Sequence, residues 1–158
     1  MPLDSSPPVA RWDDGLVQLY ELHYDHLVRL AYLVSGQAGR AEEIVQDAFV
    51  RTHQSWEKVR DPLPYLRTTV VNGCRSLGRR QQLERARRPR APEPVGLGAD
   101  ELWDALATLS DRQRGAIVLR FYCDLPDHDI AAILGCRQAT VRTSVHRGLA
   151  RLRKEIDR

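Results

Sequence analysis

Apolar positions along this chain recur every three or four residues, and no segment alternates apolar with polar residues over the length of a strand. Leu16, Leu19, Tyr20, His23, Leu27, Leu30, Ala31 and Val34 fall on one helical face, and Ser35-Gly36 breaks that helix. The spacing predicts a second helix from about Ala38 to Trp56, with Ala41, Ile44, Val45, Ala48 and Phe49 as its stripe. The "RDPLP" stretch with its two prolines reads as a turn. A third helix is predicted to begin near Pro64, because proline is tolerated in a first turn. It runs through Tyr65, Leu66, Val70, Cys74 and Leu77 into the basic run "RRQQLERARRPR".

Past that run the pattern changes. Residues 88–100, "RPRAPEPVGLGAD", are rich in proline and glycine and lack a helical stripe, which reads as a linker. Beyond it "DELWDALATL" forms a short amphipathic helix, and Ser110 and Gln113 stand at the spacing of a capping box that starts the next helix. Ile117, Val118, Phe121 and Tyr122 give that helix its apolar side. The predicted fold class is all-α: two small helical domains, 12–88 and 100–156, joined by a flexible linker at 89–99. Each domain is too small to bury a large core by itself.

The segment from Ala131 to Lys154 opens as a short apolar helix, stops at Gly135-Cys136, and resumes as a longer helix rich in arginine. Laid on Asp127 to His146, this is the pattern of a helix-turn-helix. Ala131 is small where the second helix crosses, and Gly135 can take a left-handed conformation at the helix end. Ile130, Leu134, Val141 and Val145 would form the shared core, and the stripe continues through Leu149, Leu152 and Ile156. The opposite side shows Gln138, Arg142, Thr143, His146 and Arg147, which can donate to base edges and phosphates when the helix enters a major groove. A helical hairpin with a solvated basic face is the alternative at this level.

Charge sharpens that choice. The net charge is only +3, but residues 61–90 carry eight basic and two acidic side chains, and residues 126–158 carry seven and four. Two basic blocks, each following an acidic one, fit two places that meet a polyanion, and on charge alone equally two solvated helix faces. No apolar run is long enough to span a membrane, and the start of the sequence has no apolar core of a secretory signal. The cysteines, Cys74, Cys123 and Cys136, are three in number and fit no disulfide framework, so they read as reduced thiols of a cytoplasmic protein. The spacing of Cys123, His128 and Cys136 matches no common zinc site, and no glycine-rich phosphate loop or nucleophile elbow appears. Neither an enzyme nor a cofactor is therefore expected.

The stretch "ALATLSDRQRGAIVLRFYCDLPDHDIAAILGCRQATVRTSVHRGLARLR" resembles the fourth conserved region of bacterial sigma factors. "AEEIVQDAFVRTHQSWEKVRDPLPYLRTTVVNGCRSLGRR" resembles their second region. The two lie in the expected order with a short linker, which is the arrangement of the extracytoplasmic-function group. The resemblance implies a sigma factor that binds core RNA polymerase and directs it to promoter DNA, with an anti-sigma factor as a further partner. The alternative is a stand-alone helix-turn-helix regulator.

The resemblance also implies roles for residues. Glu43, Gln46, Asp47 and Val50 would dock on the polymerase. Asn72, Arg75, Ser76 and Arg79 would face the minus-ten element, with Lys58, Arg60 and Asp61 in a loop that holds an unstacked base. Trp56 and Tyr65 offer aromatic surface beside them, and Arg79, Arg80, Arg85, Arg87 and Arg88 are candidate phosphate contacts, with a solvated basic run as the alternative. Gln138, Arg142, Thr143, His146 and Arg147 would reach the minus-thirty-five element. Three positions depart from the family pattern: Ser144 stands where relatives usually carry arginine, Pro126 replaces the usual serine cap, and His128 has no assigned role.

Overall fold

A computed structural model describes residues 12–87 and 101–158. The predicted linker at 89–99 and Arg88 lie outside the described residues, as do the side chains of Arg85 and Arg87. Among the described residues every regular element is a helix. Helix α1, Asp14–Ser35, starts where the Asp13 carboxylate accepts the Gly15 N–H at 2.8 Å, satisfying one of the four donors a helix start leaves free. It ends at Gly36, whose φ of 73° is left-handed and whose N–H donates to the Tyr32 carbonyl at 2.7 Å.

Helix α2, Ala38–Gln54, stops before Trp56, which instead opens a 3-10 turn, Trp56–Lys58. Helix α3, Pro62–Arg87, begins two residues earlier than the pattern predicts. Both prolines of "RDPLP" thus sit in its first turn, where the missing N–H groups would have had no intrahelical partner. The stretch is a helix start rather than a separate turn. Leu27, Leu30, Phe49, Leu66, Val70 and Val71 are fully buried among these three helices. Trp12 stacks over Phe49 with ring centroids 6.3 Å apart.

In the second half, α4 is Glu101–Ala107 and α5 is Asp111–Ile117. The expected capping box is present: the Gln113 N–H donates to Ser110 Oγ, and the Ser110 N–H to Gln113 Oε1, each at 3.2 Å. After Ile117 the helix widens into a π turn, Val118–Tyr122, closed by the Cys123 N–H bonding back five residues to the Val118 carbonyl at 3.3 Å. The extra residue rotates everything after it. Phe121, predicted on the inner side, is 61% exposed, and Leu119 is fully buried in its place.

Helices α6, Asp127–Leu134, and α7, Gln138–Ile156, are joined through Gly135, left-handed at φ 65°. Ile130, Leu134, Val141 and Val145 are buried together as the spacing predicts. The stripe does not continue to the end of α7, since Leu149 is partly exposed and Ile156 is 78% exposed.

The two halves also touch. The Tyr122 ring stacks on His26 at 4.4 Å, and its hydroxyl donates to the His26 carbonyl at 3.2 Å. Arg114 Nε donates to the Val34 carbonyl at 2.8 Å, and its guanidinium lies 5.4 Å from the centre of the Trp103 ring. Trp103 in turn packs against Tyr32, and a Cβ at Gly36 would lie 1.8 Å from its ring, so only glycine allows this approach.

Candidate nucleic-acid interface

The long helix α7 is anchored on one side by Val141 and Val145, so its remaining sides face outward. Gln138, Arg142, Thr143, His146 and Arg147 are all exposed. They do not form one uniform face. Thr143 and Arg147 turn toward α3 and line an open cleft of about 720 Å³ together with Thr140, Arg75, Arg79 and Arg112. Gln138, Arg142 and His146 are not part of that lining. The Thr143 hydroxyl donates to the Ala139 carbonyl at 3.0 Å, which leaves it an acceptor toward any ligand.

The three departures from the family pattern have physical consequences. Ser144 is buried at the wall of the cleft. Pro126 caps α6 without a side-chain bond; Asp127 and Asp129 in the first turn supply the negative charge that favours a helix start. Asp127 is itself ion-paired with Arg120. His128 is exposed, with Nε2 3.1 Å from an Asp129 carboxylate oxygen.

Along α3, Asn72, Arg75, Ser76 and Arg79 follow one another at helical spacing. Arg75 is the constrained member, because its Nη1 donates to the Leu134 carbonyl at 3.1 Å, at the end of α6. Asn72 and Arg79 are exposed, and Ser76 is half-buried. Lys58, Arg60 and Asp61 are exposed before α3, and the Asp61 carbonyl accepts the Tyr65 N–H at 3.2 Å, which starts the helix. From there to Arg75 the helix rises ~20 Å at 1.5 Å per residue. The loop and the arginine cleft are thus separate stations on one helix. Trp56 and Tyr65 are half-buried, so part of each ring is available.

On α2, Glu43, Gln46, Asp47 and Val50 are exposed on the side opposite the buried Val45, Ala48 and Phe49. Glu43 pairs with Arg40 at 3.4 Å and Asp47 with Arg51 at 3.3 Å. Exposed pairs of this kind contribute only ~0.2–1 kcal/mol, so a partner can displace them at small cost. Gln46 Nε2 donates to the Tyr24 hydroxyl at 3.4 Å, a neighbour that the sequence reading missed.

The buried thiols are chemically quiet. Burial pushes Cys74 up to about 12 and Cys123 up to about 11, which leaves them as neutral, poorly nucleophilic thiols. Burial also lowers the His26 pKa, helped by the nearby Arg67. Among the described residues no three His, Cys, Asp or Glu side chains gather to hold a metal.

Comparison with known proteins fits this layout. Residues 19–84 match the family described as Sigma-70 region 2, and residues 99–152 match Sigma-70, region 4. The RNA polymerase sigma-E factor of Streptomyces coelicolor is 32% identical over 142 residues, which cover 84% of this chain and 80% of that one. The chain belongs to the sigma-70 family. Within it the chain falls in the extracytoplasmic-function group: the ECF RNA polymerase sigma factor SigW of Bacillus subtilis is 25% identical over 90% of this chain and 89% of its own length. A solved structure of the sigma factor RpoE in complex with the anti-sigma factor NepR from Bartonella quintana superposes with a TM-score of 0.76 at 26% identity, covering 92% of this chain and 100% of that one. The chain is thus a sigma factor acting in transcription initiation. A stand-alone helix-turn-helix regulator would leave the match over residues 19–84 without a role.

Proposed function

We propose that this sigma factor docks on core RNA polymerase through Glu43, Gln46, Asp47 and Val50, and reads promoter DNA with two separate surfaces. Residues 12–88 carry the docking face and the minus-ten surface of Asn72, Arg75, Ser76 and Arg79, with Lys58, Arg60 and Asp61 beside an unstacked base. Residues 100–156 carry the minus-thirty-five surface of Gln138, Arg142, Thr143, His146 and Arg147. The observation that carries the reading is α7, buried at Val141 and Val145 and lined on its open sides with donors. The factor does no chemistry of its own; bond formation belongs to the polymerase, and the site of action is the cytoplasm, where polymerase and promoters meet. None of the helices described is long and apolar enough to cross a membrane. An anti-sigma factor is a further partner, as it is for the RpoE relative.

The test replaces Gln46 and Asp47 together with alanine and measures co-purification with core polymerase. Loss of co-purification with unchanged helicity supports the assignment. Retained co-purification moves the docking surface off α2.

A further inference from the structure

Four arginines from three helices converge on the cleft of about 720 Å³: Arg75 and Arg79 of α3, Arg112 of α5 and Arg147 of α7. The lining holds one carboxylate, Asp111, and the Arg114 guanidinium at 2.7 Å already matches its charge. None of the four arginines pairs with a carboxylate among the described residues. Arg75 and Arg79 stand one helical turn apart, where like charges repel. Arg75 uses one of its five donors on the Leu134 carbonyl, which leaves the rest of the fork free. Ser144 lines the same cleft. It is 8% exposed, and its hydroxyl has no hydrogen-bond partner among the described residues. Buried hydroxyls ordinarily find one.

A cleft walled by one sign of charge concentrates counter-ions. Guanidinium groups match phosphate oxygens two donors at a time. The cleft's volume lies within the ~300–1,000 Å³ of small-molecule sites. The promoter surfaces assigned above do not account for the convergence, since Arg112 belongs to neither of them.

We propose that this cleft binds a small ligand carrying a chain of two phosphates, with Arg75 and Arg79 on one wall and Arg112 and Arg147 on the other. Two linked phosphates bear about three negative charges at neutral pH, set against four guanidinium groups without carboxylate partners. Inorganic pyrophosphate and the phosphate end of a nucleoside diphosphate present the same chemistry. The bound ligand relieves the repulsion among the arginines and stabilises the chain in which both walls are present. Because Arg75, Arg79 and Arg147 also belong to the promoter surfaces, ligand and DNA compete for them. That competition rests on the proposed function; the binding itself does not.

The test is titration calorimetry on the full chain at about 0.1 M salt, without divalent cations, using inorganic pyrophosphate, ADP and inorganic phosphate as probes. Pyrophosphate is expected to bind one site per chain, about tenfold or more tighter than phosphate. Arg79→Gln and Arg112→Gln, at exposed positions on opposite walls, should each weaken it by about tenfold, the effect of ~1.4 kcal/mol, with helicity unchanged. Arg147→Gln replaces Arg112→Gln should that variant lose helicity. Arg40→Gln, exposed on α2 and outside the cleft, should leave the affinity within about twofold. ADP binding at least as tightly as pyrophosphate assigns the ligand to the nucleotides, and weaker binding assigns it to free phosphate chains. The proposal is overturned by absence of pyrophosphate binding, or by phosphate binding as tightly as pyrophosphate, which would mean an adventitious ion only. A loss confined to one wall, or shared by Arg40→Gln, overturns it as well. Failure of the promoter assignment is seen separately, as absence of initiation by wild-type holoenzyme with these titrations unchanged.

Discussion

Ile130 joins α6 to α7 and is fully buried, whereas Ile156, on the same predicted stripe, is 78% exposed. Replacing each with alanine removes the same atoms from opposite environments. Truncation deletes about three methylene equivalents at ~0.8 kcal/mol each, or ~2.4 kcal/mol of transfer free energy. The cavity left behind brings the expected loss for Ile130→Ala to ~2–5 kcal/mol. For a helical half of this size, with a total stability of roughly 3–9 kcal/mol, that loss is enough to loosen α7 from α6. Ile156→Ala should change stability by less than ~0.5 kcal/mol. Urea unfolding followed by circular dichroism at 222 nm reads both as shifts in midpoint at constant slope. An Ile130→Ala loss below ~1 kcal/mol, or equal losses at the two positions, would refute the packing of α6 on α7 that orients every donor on the outer face.

Three further outcomes are expected. Arg142→Ala should weaken holoenzyme binding by ~1–3 kcal/mol with relaxed preference at one minus-thirty-five position, while Arg151→Ala should at most lower the salt dependence by about one unit; mobility shifts on consensus and single-base-changed promoters separate the two. Ser110→Ala removes one arm of the capping box and should cost about 1 kcal/mol, measured by thermal unfolding. The third concerns pH. Because the folded His26 pKa lies below its ordinary value, the unfolded chain binds more protons between that lowered value and ~6.5. Stability should therefore fall as the pH drops through this window, where Tyr122 of the π turn, Arg67 of α3 and His23 of α1 surround the ring. The drop in melting temperature between about pH 7.5 and about pH 5.5 should shrink in His26→Gln, and an unchanged drop would assign it to other groups.

What could be read from the chain was local. The helix-turn-helix was legible because its determinants lie within one short segment: Gly135 at the break, Ile130 and Leu134 before it, Val141 and Val145 after it. The Ser110 capping box was legible for the same reason. The π turn was not, because nothing in "VLRFY" marks a bond back five residues, and a 3.6-residue period therefore placed Phe121 on the wrong side. The stripe at Leu149 and Ile156 has helical spacing but no element to cover it, so spacing alone overstated the core. The contact of Trp103 with Gly36 joins distant parts of the sequence, and no local pattern announces it. Of the site, the donors on α7 followed from the stripe opposite them. The roles proposed for Gln46, Asp47 and Asn72 came from family resemblance, since on charge and exposure alone they are ordinary solvated residues. Ser144 lies buried at the wall of the cleft, a placement that helical spacing alone does not show.

The most direct measurement is run-off transcription with purified core polymerase, this factor and a library of genomic fragments. The account predicts discrete transcripts whose starts share two upstream elements, appearing only when factor and core are both present. It also predicts that these transcripts vanish with Gln46→Ala/Asp47→Ala and change their minus-thirty-five preference with Arg142→Ala. Transcripts that do not depend on the factor, or promoter-specific DNA binding that needs no polymerase and supports no initiation, would contradict it.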